Sequence, residues 1–407
     1  MNKFTRLFIP FSYSDFIYLW LASIAYQSTM QLRILVTTVW LYEATGSSVQ
    51  LGLIGAVQLV MQIPSILYGG SLADKLDRKK LIEYSQSVVT IIILILTILI
   101  YLNQLNAMHI YLATALLSVV SVIGQPARAA LVATVVKKEH LPNAVALHTA
   151  TMQVASVVAP LFFALLVAFF GLKEAFLATF VSAIISAILP VFIKRTGIAE
   201  NIQKKNSVMQ EILEGWTFVK KHPILPSLYL MDIGVTIVSF YRQILPVLAD
   251  KLYQKGATAV GLLSGASSAG GIIGSILVLL FAKYRPKGML VLYATGAYAV
   301  LLMFFGISTS LWTGCFIIFF LGATDSIGMT TRQTIVQLTT PDNMRGRAVS
   351  FHSLSAMTAN NIGTLEVGFF SALIGADNTM FFGGIIALLV VILIYVFSQQ
   401  LRTYRYP

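Results

Sequence analysis

Long apolar stretches alternate with short polar ones along this chain. A membrane-crossing helix needs about 20 mostly apolar residues. Twelve stretches qualify: Phe16–Tyr42, Val49–Ala73, Leu81–Leu102, Met108–Leu131, Ala144–Phe170, Ala175–Ile193, Ile224–Leu248, Ala257–Ala282, Met289–Gly306, Leu311–Thr330, Ala348–Ile374 and Met380–Phe397. The longest connection, Lys194–Pro223, follows the sixth span and divides the chain into 1–193, a linker over 194–223, and 224–407. Within it Val208, Ile212, Leu213, Trp216 and Val219 recur at roughly helical spacing over Ser207–Lys220. That pattern predicts an amphipathic helix, lying on the membrane surface or packed against the bundle. The expected fold class is all-α integral membrane, with two six-helix bundles.

Charge gives the spans an orientation. Charged residues make up 11% of the chain and hydrophobic ones 57%, against about 25% charge in a soluble domain. The net charge of +12 would suggest nucleic acid in a soluble protein. Here 21 of the 28 lysines and arginines fall at the two termini and in the even-numbered loops, and only Lys173, Lys251 and Lys255 fall in the odd-numbered ones. The asymmetry predicts both termini in the cytoplasm and an even number of spans. One cysteine, Cys315, excludes a disulfide framework or a Cys-based metal site. Met1–Pro10 lacks the long apolar core of a cleavable signal peptide.

The halves repeat one another. Arg128 precedes His148 by 20 residues and Arg332 precedes His352 by 20, in similar contexts at an offset of 204. Arg33 precedes Gly52 by 19 and Arg242 precedes Gly261 by 19, at an offset of 209. A duplicated six-span unit in parallel topology accounts for both matches.

Between spans two and three runs Gly69-Gly70-Ser71-Leu72-Ala73-Asp74-Lys75-Leu76-Asp77-Arg78-Lys79-Lys80. It resembles the hallmark loop of the major facilitator superfamily: Gly70, Asp74, Lys75, Arg78 and Lys79 fall on the pattern, and Asp77 stands where many members carry Gly. Three further segments are similar to the exporter branch that includes the enterobactin exporter and the macrolide efflux proteins. They are Gln125–Ala130, Tyr241–Asp250, and Thr331–Thr334 with Pro341-Asp342 and Arg345-Gly346-Arg347. The Gly-Pro of superfamily antiporters is Ala159-Pro160 here. The resemblance implies two bundles related by a pseudo-two-fold axis, alternating access, and a cavity lined by spans one, four, seven and ten.

Ionisable groups inside spans are costly and point to function. Arg33, Asp232, Arg242, Asp325 and Glu366 are such groups. Tyr26, Met30 and Arg33 share a stripe on span one with Gln27 beside it, and Ser239 lies near Arg242 on span seven, so these six are the expected substrate contacts. Arg33 and Arg242 would attract an anionic or catechol-like solute, or each be locked to a carboxylate. Asp232, Asp325 and Glu366 are the expected proton carriers, Asp232 first. The resemblance implies a cytoplasmic gate of Gly70, Asp74 and Arg78 with Arg128, and Arg332 is assigned to it as the repeat counterpart. His148 and His352 could relay protons or simply be satisfied at the interface.

These readings converge on a secondary transporter, not an enzyme. It is expected to export a small amphiphilic, drug- or siderophore-like solute in exchange for protons, as a monomer in a bacterial plasma membrane, with lipid around it. No cofactor, metal or nucleic acid is expected. Uptake or facilitated passage of a lipid or metabolite is the alternative within transport. A non-transporting sensor or partner-binding protein on the same fold is the alternative outside it.

Overall fold

The computed structural model describes residues 8–73, 77–194, 208–281 and 283–406. Fifteen helices follow one another: α1 (Ser14–Thr45), α2 (Ser48–Ala73), α3 (Arg78–Tyr101), α4 (Ala107–Val135), α5 (Leu141–Phe169), α6 (Leu172–Ile188), α7 (Val208–Lys221), α8 (Leu225–Ser239), α9 (Leu245–Tyr253), α10 (Ala257–Leu280), α11 (Lys287–Gly306), α12 (Leu311–Thr339), α13 (Asp342–Ile374), α14 (Ala376–Phe397) and α15 (Gln399–Thr403). Short 3₁₀ turns join some of them, and no strand occurs among the described residues. Nine helical segments among these residues are long and apolar enough to cross a membrane, α8 and α9 counting together as one. The long helices α1, α4 and α13 occupy the remaining expected positions. They carry Arg33, Arg128 and Glu366.

Contacts divide the chain into two compact units: residues 1–44 with 60–205, and residues 45–59 with 206–407. Helix α2 thus begins with the second unit and ends with the first.

In the first unit, Phe16, Leu19, Ile82, Leu131 and Val135 are buried in one apolar cluster. Without a hydrophobic drive between helices in lipid, interhelical hydrogen bonds add specificity. Ser186 donates to Gln86 Oε1 at 2.8 Å, Ser182 to the Ala25 carbonyl at 2.9 Å, and Trp20 Nε1 to Thr151 Oγ1 at 3.0 Å. Pro160 lies inside α5 and has no N–H for the carbonyl four residues earlier. That carbonyl belongs to Ser156, and Gln31 Nε2 of α1 donates to it at 3.3 Å. Asp77, the departure from the superfamily loop, is the N-cap of α3, accepting from the Lys79 amide at 2.8 Å; Gly has no side chain to do this.

In the second unit, span seven is two helices. It was expected to run unbroken over Ile224–Leu248, but α8 stops at Ser239 and α9 starts at Leu245, with a 3₁₀ turn over Arg242–Ile244. Pro246, in the first turn of α9, has no N–H to continue the helical ladder. A freed carbonyl finds a partner: Tyr298 donates to the Ser239 carbonyl at 3.2 Å, and beside the break the Tyr241 and Ser267 hydroxyls lie 3.0 Å apart. The helical-wheel placement of Arg242 beside Ser239 does not survive this break. Helices α10 and α12 cross at small residues: a Cβ built on Gly270 would overlap the Phe319 carbonyl, and one on Gly274 the Ala323 carbonyl. A second close crossing sets Gly52 against Gly368, and a Cβ on Gly55 would sit 2.7 Å from Thr364 Cβ.

The linker helix α7 packs against α13 through one face. Gly215 packs on the Arg347 carbonyl, Val219 is buried, and Glu214 pairs with Arg347 at 2.7 Å. Met209, Leu213 and Trp216 remain about half exposed.

Candidate functional site

Four arginines lie within spans, and the two units treat them differently. In the second unit both have a carboxylate. Arg332 Nη2 of α12 lies 2.6 Å from Asp232 Oδ1 of α8, with both side chains 9% exposed. Arg242, freed from helical register by the break, reaches Asp325 of α12 at 3.5 Å. His352 stacks on Tyr229 at 5.0 Å, and the Tyr229 hydroxyl donates to the Ala348 carbonyl.

The first unit offers its arginines no carboxylate among the described residues. Arg128 of α4, repeat counterpart of Arg332, lies over the ring of Tyr26 with its guanidinium carbon 4.0 Å from the centroid. It is buried, and neither Nε nor Nη1 has an acceptor among the described residues. Among the described residues Arg33 of α1 reaches only the Met30 sulfur, at 3.7 Å, and its buried Nε has no partner. Where Asp232 neutralises Arg332, an aromatic face attracts Arg128 through its quadrupole and leaves the full positive charge in place.

Tyr26, Met30 and Arg33 line a narrow cleft with Gln86, Leu117 and Gly124. It has room for about one water molecule. Arg33 lines this cleft without a carboxylate among the described residues, and such a guanidinium inside a span is expensive. A solvating or anionic species reaching the cleft would relieve that cost.

Of the expected substrate contacts, Tyr26, Met30 and Arg33 therefore come together. Gln27 does not line the cleft. The Ser239 hydroxyl instead donates back to the Val235 carbonyl at 2.6 Å, and Arg242 is held by Asp325. Of the expected proton carriers, Asp232 and Asp325 are ion-paired. Glu366 of α13 has no cation within ion-pair distance among the described residues, and its Oε2 is buried without a partner. Of the expected gate, Asp74 lies outside the described residues, Gly70 falls near the end of α2, and Arg78 opens α3. Arg332 is committed to Asp232 in the helix interior. Two contributors escaped sequence reading, Gln86 and Tyr298. Only the packing reveals the partner of each.

A two-unit helical membrane protein with arginines and carboxylates buried inside its spans is a transporter of the major facilitator type, integral and multi-pass. Its fold is that of the peptide transporter POT solved with sulfate, at a TM-score of 0.75 and 12% identity over 96% of this chain and 95% of that one. The nucleoside transporter NupG gives 0.74 at 11% identity over 94% and 98%. The chain belongs to the transmembrane secretion effector family, whose model matches residues 5–404. Among its relatives are the enterobactin exporters EntS of Shigella boydii serotype 18 and of Escherichia coli O81. Each is 24% identical over 367 residues, covering 89% of this chain and 86% of theirs.

Proposed function

We propose that this protein exports a small anionic, siderophore-like solute across a bacterial plasma membrane, driven by proton entry, with both termini in the cytoplasm. The observation that carries the reading is the pair of arginines in the first unit, Arg33 and Arg128, which lie near Tyr26 without a carboxylate among the described residues. A catecholate or similar aromatic anion suits them: its charge answers the guanidinium groups and its ring can stack on Tyr26. The name of the relatives, enterobactin exporter, supports the same solute class. The two arginines of the second unit are already neutralised, so they are assigned to structure and gating.

For proton coupling, Glu366 now ranks ahead of Asp232. A carboxyl without a counter-charge inside a membrane is costly to keep ionised, and it can bind a proton on one side and release it on the other. Asp232 would first have to leave Arg332.

The test is transport in inside-out-oriented proteoliposomes with an imposed pH gradient and a panel of catecholate and neutral fluorescent solutes. Uptake of the catecholates that collapses with a protonophore, and that falls at least tenfold in Arg33→Gln and Arg128→Gln while neutral solutes change little, is the expected result. Equal loss for charged and neutral solutes would refute the anion site. Flux indifferent to the protonophore would refute coupling.

A further inference from the structure

We infer that the outer face of the second unit carries a binding site for one anionic glycerophospholipid, with its headgroup on Arg402 and an acyl chain along α11. The site begins as a groove of about 630 Å³ between α11, α12 and α14. Gly296 and Ala297 of α11 form its floor, because they project almost nothing toward the lipid. Phe320 of α12 and Ile392 of α14 rise as walls. The only polar side-chain groups in the lining are the hydroxyls of Tyr293, Thr324 and Tyr395. Along α11 the groove runs from Leu292 to Leu301, roughly 13 Å at the helical rise, which is a substantial part of one leaflet.

One end of the groove is electropositive. Tyr395 closes it, and the guanidinium of Arg402 lies 5.1 Å from that ring's centroid. Lys283 and Arg285 precede α11 and are exposed, as is Arg405 in the tail. The tail is tied to the same foot of α11: the Tyr406 amide donates to the Arg285 carbonyl at 3.0 Å. No carboxylate among the described residues pairs with any of these four cations. Lys287 differs, since its Nζ donates to the Phe281 carbonyl and lies 4.6 Å from the Tyr406 ring centroid.

This arrangement selects by charge rather than by apolarity. An acyl chain is as well solvated in the bilayer as in the groove, so burying it there gains only packing. The gain comes from an anionic phosphate held beside Arg402 within the reach of three more cations. A second copy of this chain is the other apolar occupant to consider. It would leave those cations facing each other across a two-fold interface, which disfavours it.

The experiment is native mass spectrometry of the full chain in detergent, titrated with phosphatidylglycerol and with phosphatidylcholine of the same acyl chains. One phosphatidylglycerol should bind at least about fivefold more tightly than phosphatidylcholine, and Arg402→Gln should remove that preference. Gly296→Leu, which fills the floor, should weaken both lipids. Gly296 has room for the change, since a Cβ there meets only Val391 Cγ1 at 3.9 Å. Equal affinity for the two lipids, or an unchanged preference in Arg402→Gln, would overturn the assignment. A dimer abolished by Gly296→Leu would overturn it in favour of the second copy.

Discussion

Removing one member of the Asp232–Arg332 pair should destabilise the protein far more than removing both. The two groups meet at 2.6 Å with side chains 9% exposed, so neither has water to fall back on. Asp232→Ala strands a guanidinium whose Nε already lacks an acceptor among the described residues. Breaking a buried pair this way costs about 3–5 kcal/mol. At roughly 2–4 °C per kcal/mol for a unit of this size, the melting temperature should fall by about ten degrees. Asp232→Ala combined with Arg332→Met removes both charges and their desolvation together, and should lie within about 2 kcal/mol of the parent. Melting in detergent of the four proteins of the double-mutant cycle gives the coupling directly. Tyr26→Leu, which removes only the ring beneath Arg128, should cost about 2 kcal/mol or less. A coupling below about 1 kcal/mol for Asp232 and Arg332 would refute the claim that they form a desolvated structural pair, and would return Asp232 to the head of the proton carriers.

Other expectations follow from the same geometry. Glu366→Gln should uncouple solute flux from the pH gradient while preserving downhill flux and melting temperature; normal pH-driven flux would exclude it. Gly270→Leu should force α10 and α12 apart, with at least about 3 kcal/mol of overpacking strain, read as loss of folded protein on size exclusion. Glu214→Ala breaks a part-exposed pair and should change the melting temperature little, since such pairs contribute about 0–1 kcal/mol. His222 lies outside the spans; burial pushes its imidazole below the ordinary 6.5, with the Thr339 carbonyl opposing. Its Nδ1 accepts from the amides of Ile224 and Leu225 at 3.2 and 3.3 Å, capping α8. The contribution is therefore complete above pH 6.5 and is lost as pH falls through the lower folded value. Melting scanned from pH 7.5 to 5 should show this decline in the parent and not in His222→Gln.

Much of the architecture was legible because the bilayer imposes a single length on every span. Length is a one-dimensional property. The same legibility reached the pseudo-repeat, since Arg128 and Arg332 keep their distance to His148 and His352. Span seven was misjudged as continuous because the apolar stretches on either side of Tyr241–Gln243 together have the length of one span. The break shows only in the packing, where Tyr298 from another helix supplies a hydrogen bond to the freed Ser239 carbonyl.

For the site, the chain by itself determined which residues would be costly inside the membrane: Arg33, Arg128, Asp232, Arg242, Asp325, Arg332 and Glu366. An apolar run interrupted by charge says so whatever the packing. Only tertiary structure decided which of them are neutralised. Pairing depends on the rotation and depth of neighbouring helices, and residues 100 positions apart, such as Asp232 and Arg332, meet or miss by a few ångströms that no local pattern records. That packing gives Arg332 a carboxylate and sets its counterpart Arg128 over an aromatic ring, with no carboxylate beside it among the described residues.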